Sequence, residues 1–196
     1  DADVSGGDEW GGVLAVRGRH HPGREADNEL VIVAVDGTGA VKVLAAGNDF
    51  YSSPRQSPAG DRVCWLSWDH PNLPWDGCEL WVAEFDSASG TVSEPRCVSG
   101  GRDVSVVQPE WAPDGSLVFI SDESGWWNLT RWSETGISPL LSESVDHGDP
   151  AWVFGLRTYS FSTSGDIVLK DTRDNQGSFR TIGLDGRERT ARKSAV

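Results

Sequence analysis

The chain has 196 residues, ten of them Trp, and a net charge of −13 from 30 acidic and 17 basic side chains. So many aromatics at 37% hydrophobic content exclude a disordered chain. The acidic balance, without a clustered basic stripe, excludes an ordinary nucleic-acid binder, and no apolar run approaches the ~18 residues of a membrane-spanning helix.

The first strand signals are Val13–Arg17, Glu29–Val35 and Val41–Leu44. A second group follows at 62–68, 78–85 and 94–98, a third at 116–121, 127–132 and 137–141, and a fourth at 166–170, 179–184 and 187–190. These short runs are rich in β-branched and aromatic residues and are bounded by Gly, Pro, Ser and Asp, as strands are. Long helical stretches of Ala, Glu, Lys and Leu are missing.

The last three groups share an opening. Ser57-Pro58-Ala59-Gly60, Ala112-Pro113-Asp114-Gly115 and Ser162-Thr163-Ser164-Gly165 each precede an apolar run. Proline presets a turn, and glycine accepts the positive φ that a tight connection requires. A spacing of 50–55 residues between the aligned glycines suits the blades of a β-propeller, which repeat every ~40–50 residues. A β-sandwich also has closely spaced strands, but it would not repeat at this period. The expected fold is therefore all-β: a partial β-propeller of about three and a half four-stranded antiparallel blades, at 1–47, 48–99, 100–144 and 145–196.

In a meander of four strands a to d, alternate connections fall on opposite faces. The Ser-Pro-x-Gly turns join a to b. The b–c loops and inter-blade links then share the other face, and they hold the unusual segments: Arg19–Glu25, Trp68–Asp76, Asp122–Asn128, Asp171–Asn175, Asn48–Tyr51 and Val145–Gly148. Loops held on a rigid scaffold are where binding usually resides. The candidates there are Trp68, Asp69, His70, Trp75, Asp76, Trp126, Trp127 and Asn128, as lining of a chamber or an interface. The competing reading of the same loops is structural, with Trp packed between blades and Asp capping turns. Trp126 and Trp127 alternate, so one is expected to face the core and the other a neighbouring blade, with a stacking site as the alternative.

No metal, cofactor or catalytic residue is assigned. Adjacent side chains on an extended backbone point apart, so His20 and His21 make a poor ligand pair, and His70 and His147 stand alone in sequence. The chain has no G-x-S-x-G elbow and no phosphate-binding G-x-x-x-x-G-K loop. Cys64, Cys78 and Cys97 are odd in number and lack metal-ligand spacing, which reads as free thiols in a reducing compartment, although Cys64 and Cys78 could lie on neighbouring strands. A cytoplasmic location is expected, because no basic-then-apolar leader appears. With no Met in the chain, residue 1 reads as a trimmed start.

Several strings together resemble one known family: Phe50-Tyr51-Ser52-Ser53-Pro54-Arg55-Gln56-Ser57-Pro58, the run from Trp65 to Gly77, Gln108-Pro109-Glu110-Trp111-Ala112-Pro113-Asp114-Gly115, and Ser121 to Leu129. They are similar to the bacterial acylaminoacyl-peptidase or dipeptidyl-aminopeptidase branch of the prolyl oligopeptidase family of serine peptidases. The likeness runs from about Val16 to Tyr159; Ala59 and Thr130 depart from it, and the stretch from Ile182 is poorly matched. The resemblance implies a propeller of about seven blades standing over an α/β-hydrolase domain that performs peptide hydrolysis. No triad position falls within this chain. The partners implied are that hydrolase domain and a peptide substrate, while two open blade edges would invite self-association. The expected role is a non-catalytic propeller segment that gates and lines access to the hydrolase domain. The alternative is a stand-alone protein-interaction module, and a carbohydrate-binding lectin is a more distant one.

Overall fold

The computed structural model describes residues 5–7, 12–173 and 176–189. Every regular element among them is a β-strand, arranged in four antiparallel meanders. The first sheet holds β1 (Ser5–Gly7), β2 (Gly12–His21), β3 (Arg24–Ala34) and β4 (Val41–Ala46). The second holds β5 (Phe50–Gln56), β6 (Arg62–Trp68), β7 (Glu79–Asp86) and β8 (Thr91–Gly100). The third holds β9 (Val106–Trp111), β10 (Leu117–Ser121), β11 (Asn128–Ser133) and β12 (Gly136–Pro139). The fourth holds β13 (Tyr159–Phe161), β14 (Ile167–Arg173) and β15 (Gln176–Ile182). The fold is a partial β-propeller.

Its core lies between blades. Along β6, Val63 and Trp65 pack with Leu14, Leu30 and Ile32 of the first sheet, whereas Cys64 and Leu66 pack with Leu117 and Phe119 of the third. Along β10, Leu117 and Phe119 face the second sheet, and Val118 and Ile120 join Ile167, Leu169 and Ile182 of the fourth. Alternate side chains of a strand emerge on opposite faces. A strand apolar at every position, such as Val63–Leu66, therefore suits a sheet covered on both sides. Trp65 and Trp81 sit opposite one another in the β6–β7 register and stack, with ring centroids 6.3 Å apart and planes 6° apart. Trp111 donates its indole N–H across the blade boundary to the Arg55 carbonyl at 3.1 Å.

The repeated turns have one geometry. The Gly60, Gly115 and Gly165 amides donate to the carbonyls of Ser57, Ala112 and Ser162, each at 2.9 Å, with glycine φ of 76°, 80° and 83°. The same turn recurs once more after β15, where Gly186 donates to Gly183 at 2.9 Å with φ 75°. That fourth copy, which like Ser162–Gly165 lacks the proline, was not anticipated.

Two expected loops are largely strand. Arg19–Glu25 was expected to be irregular, yet β2 runs to His21 and β3 restarts at Arg24, leaving a turn at Pro22-Gly23. Ion pairs and one histidine–carboxylate hydrogen bond across the hairpin explain the extension. Glu29 receives Arg17 at 2.5 Å and Arg19 at 2.6 Å, and Asp27 receives His21 at 2.8 Å and Arg24 at 2.6 Å. Similarly, β14 continues through Asp171–Arg173, and positions 174 and 175 lie outside the described residues. The run 187–190 forms a single bridge, Ile182 with Glu188, and position 190 lies outside the described residues.

Two-sided burial makes the middle strands the sensitive ones. Phe119 is wholly buried, whereas Phe179 is 60% exposed. Phe119→Ala is expected to cost about 3–5 kcal/mol, while Phe179→Ala stays within about 0.5 kcal/mol of the parent. Urea midpoints of the two variants check this.

Candidate functional site

The loop-rich face is held together by the links themselves. Asp69, at the start of the β6–β7 loop, accepts the Asp49 amide at 2.6 Å and the Asn48 side-chain amide at 3.0 Å. Asp49 in return accepts the His70 amide at 2.9 Å. The carboxyl of Asp76 caps a turn by accepting the Leu73 amide at 2.9 Å. One blade later the pattern repeats. Asp146 accepts the Trp127 amide at 2.9 Å, and the Trp127 carbonyl accepts the His147 amide at 2.8 Å. Asn128 is buried; its side chain donates to the Glu143 carbonyl at 2.8 Å and accepts the Glu143 amide at 3.1 Å. The b–c loops of the second and third blades are thus each tied to an adjoining inter-blade link on the same face.

On this face lies a concavity of about 1000 Å³. Its floor is the inner strands β5 and β9, and both carry the same irregularity. Ser53 and Gln108 adopt left-handed φ of 53° and 50°, each just before a proline, and the pairing with β6 and β10 breaks there. Such bulges add one residue to a strand and re-aim its groups, and a proline, which cannot donate to the ladder, is tolerated there. At Gln108 the result is a joint to the fourth blade. Its side-chain amide donates to the Tyr159 carbonyl at 2.7 Å and accepts the Thr158 amide at 2.7 Å, while the Tyr159 hydroxyl lies 2.8 Å from the Gln108 and Val118 carbonyls. Arg55 and Glu110 follow the two prolines and approach to 3.5 Å; Arg157 reaches Glu110 at 3.2 Å.

The walls are aromatic. Trp68 stacks on Phe50, with centroids 5.4 Å apart, and lines the cavity with Trp75. Trp75 meets Trp152 of the β12–β13 link at 4.3 Å. His70 lies edge-on against Phe50 at 4.9 Å. Of the residues singled out from the sequence, Trp68 and Trp75 therefore line the cavity. Asp69, His70 and Asp76 fasten its rim, and Asn128 clamps a link. Trp126 is exposed, and Trp127 packs at the edge of the third core, against Gly148. Sequence reasoning passed over Gln108, Arg55 and the run Trp152–Leu156. A signal for the first two was present: Ser53-Pro54-Arg55 and Gln108-Pro109-Glu110 occupy equivalent places in the repeat, with opposite charges.

The two buried thiols, Cys64 and Cys78, are unreactive by environment, whereas Cys97 is exposed. All three are free; burial pushes Cys78 up to about 12 and raises Cys64 further, and a protonated thiol is a poor nucleophile. The Cys78 thiol donates to the Val106 carbonyl at 3.0 Å. No helix of the described residues is long and apolar enough to cross a membrane, and no group of three or more potential metal ligands occurs among them.

Behind the cavity, His147 is fully buried. Its Nε2 is 3.2 Å from Glu143, and its Nδ1 is 3.8 Å from Asp171 without a hydrogen bond. Arg180 pairs with Glu143 at 2.9 Å and lies 3.9 Å from Asp171. Burial lowers the His147 pKa below 6.5, against the pull of Glu143 and Asp171. On acidification the unfolded chain takes up this proton before the native state does. The contribution therefore favours the fold above about pH 6.5 and is lost as the pH falls below that value. His147→Gln is expected to shrink the loss of urea midpoint between about pH 7.5 and about pH 5.5, the range an ordinary histidine spans. Asn128→Ala, which removes two hydrogen bonds to the half-buried backbone of Glu143, is expected to cost about 1–3 kcal/mol, again read from urea midpoints.

No protein-family model matches the chain, and no curated protein does. Solved structures do. A puromycin-hydrolyzing peptidase of Mycobacterium tuberculosis is 26% identical over 95% of this chain, with a TM-score of 0.82. A puromycin hydrolase is 30% identical over 95% of it, also at 0.82. Prolyl oligopeptidase B of Galerina marginata, at 14% identity over 92% and a TM-score of 0.69, shares the fold. The chain spans 30% of the length of either puromycin-hydrolyzing structure. Its partial β-propeller is similar to the corresponding part of the puromycin-hydrolyzing peptidases, and it shares that fold with prolyl oligopeptidases.

Proposed function

We propose that this chain is the N-terminal, non-catalytic propeller segment of a cytoplasmic serine peptidase of the acylaminoacyl-peptidase or dipeptidyl-aminopeptidase type. Its loop-rich face borders the substrate chamber and restricts entry to short peptides. An α/β-hydrolase domain elsewhere in the longer protein supplies the nucleophile. One observation carries this reading: the likeness to puromycin-hydrolyzing peptidases extends over 95% of the chain at 26–30% identity. The concavity supports it, because an aromatic-walled space of about 1000 Å³ falls at the upper end of the size usual for ligand sites.

A second reading, an interaction module that pairs with another protein or with itself, draws support from the end blades. Val41 and Val43 on the first sheet and Phe179 on the fourth are 40%, 48% and 60% exposed, and large exposed apolar groups mark contact surfaces.

The two readings separate cleanly. The longer gene product is expected to release chromophore from aminoacyl or acylaminoacyl p-nitroanilides and to be labelled by a fluorophosphonate, whereas the 196-residue chain does neither. Fluorophosphonate-sensitive turnover by the 196-residue chain itself, or a gene product with no hydrolase domain, would overturn the peptidase reading.

A further inference from the structure

The link from β12 to β13, residues 140–158, is the longest stretch without a strand among the described residues. Links longer than about 12–15 residues are uncommon in compact folds and usually functional. Its first half is fastened by Asn128, Asp146 and the buried His147. Its second half is anchored at its ends. Asp149 pairs with Lys170 at 2.9 Å, and at the other end Arg157 reaches Glu110 while Gln108 holds the Thr158 amide. Between these anchors the chain presents Trp152, Val153, Phe154 and Leu156, which are 71%, 62%, 43% and 42% exposed and all line the concavity.

Four bulky apolar groups left in water on one short segment are costly, roughly 25 cal/mol for each Å² that could be buried. Here they turn toward a cavity instead of standing apart on the surface. Trp152 rests against Trp75, which belongs to a loop two blades away in the chain, so this contact closes the wall of the cavity. Two polar residues of the floor are already engaged: the Gln108 amide is used by Thr158 and Tyr159, and Arg55 faces Glu110. Discrimination by apolar bulk therefore falls to the aromatic and aliphatic wall.

We infer that Trp75 and the segment 149–157 form a specificity wall that admits a peptide or aminoacyl amide by the size of its apolar side chain. The peptide character of the ligand rests on the peptidase reading; the wall and its preference for bulky apolar groups rest on the geometry. Trp75 and Trp152 contact the ligand's side chain and take no part in bond cleavage.

The probes are the N-acetyl amides of glycine, leucine and phenylalanine, titrated calorimetrically into the 196-residue chain. Affinity is expected to rise from glycine to leucine to phenylalanine. Trp152→Ala and Trp75→Ala are each expected to weaken binding of the phenylalanine probe about tenfold, the loss of one well-buried aromatic contact, and to narrow its margin over leucine. Trp152 is largely exposed, so its variant should keep the parental thermal midpoint. Trp126→Ala, on the same face but outside the cavity lining, should bind as the parent does. Equal affinity across the three probes, no saturable binding by any of them, an unaltered Trp152→Ala variant, or an equal loss in Trp126→Ala would each overturn the inference. Lack of peptidase activity in the longer gene product would count against the peptidase reading alone and leave a positive binding result standing.

Discussion

Everything in this molecule depends on the burial of single sheets from both sides. Neither β6 nor β10 has a solvent face: Val63 to Ser67 and Leu117 to Ser121 are buried throughout. The second and third blades are therefore stable only as layers between two others, and the three apolar clusters are boundaries between neighbouring blades. The tryptophans serve those boundaries. Trp65, Trp81, Trp111 and Trp132 belong to or pack against the second blade's two interfaces, and Arg62 and Arg96 lie over the rings of Trp111 and Trp132 at 5.4 Å and 5.7 Å. A guanidinium over an indole face adds attraction where the sheet edges meet water.

Stacked layers alone would leave the links free to wander. The structure prevents this by spending the polar side chains of the loop-rich face on backbone groups. Asp69 and Asn128 satisfy amides or carbonyls of an adjoining link, and Asp146, on a link, accepts the Trp127 amide of the neighbouring loop. Two of the candidate residues read from the sequence, Asp69 and Asn128, are thus engaged as fasteners. What they hold in place is the aromatic wall of Phe50, Trp68 and Trp75 around the inner strands. The site is built by rigidity in its rim and by bulges in its floor. Strain at Ser53 and Gln108, of order 1–3 kcal/mol for each left-handed residue, is compensated at Gln108 by the joint it makes with Thr158 and Tyr159.

Charge is arranged with similar economy. Despite a net charge of −13, buried or half-buried carboxylates sit beside cations: Glu29 between Arg17 and Arg19, Glu110 between Arg55 and Arg157, Glu143 beside Arg180. The surplus acid is left on the surface, where repulsion is screened within about 8–10 Å by salt. At the joint between the third and fourth blades, burial lowers the pKa of His147 against the pull of Glu143 and Asp171, with Arg180 alongside.

The sequence by itself determined the blades, because their signals are local. Turn chemistry at Gly60, Gly115 and Gly165 and the apolar runs that follow act within a few residues, and their period carries the propeller. Even the overlooked bulges were written there, in the equivalent Ser53-Pro54 and Gln108-Pro109 steps. Tertiary structure alone decided which side chains meet across blades. Whether Trp75 packs inward or lines a cavity depends on Trp152, far away in the chain, and Arg19–Glu25 became strand because Arg17, Arg19 and Arg24 found Glu29 and Asp27 across the hairpin. Such pairings depend on how the sheets fan and how the links are tethered, quantities that no short window of residues contains.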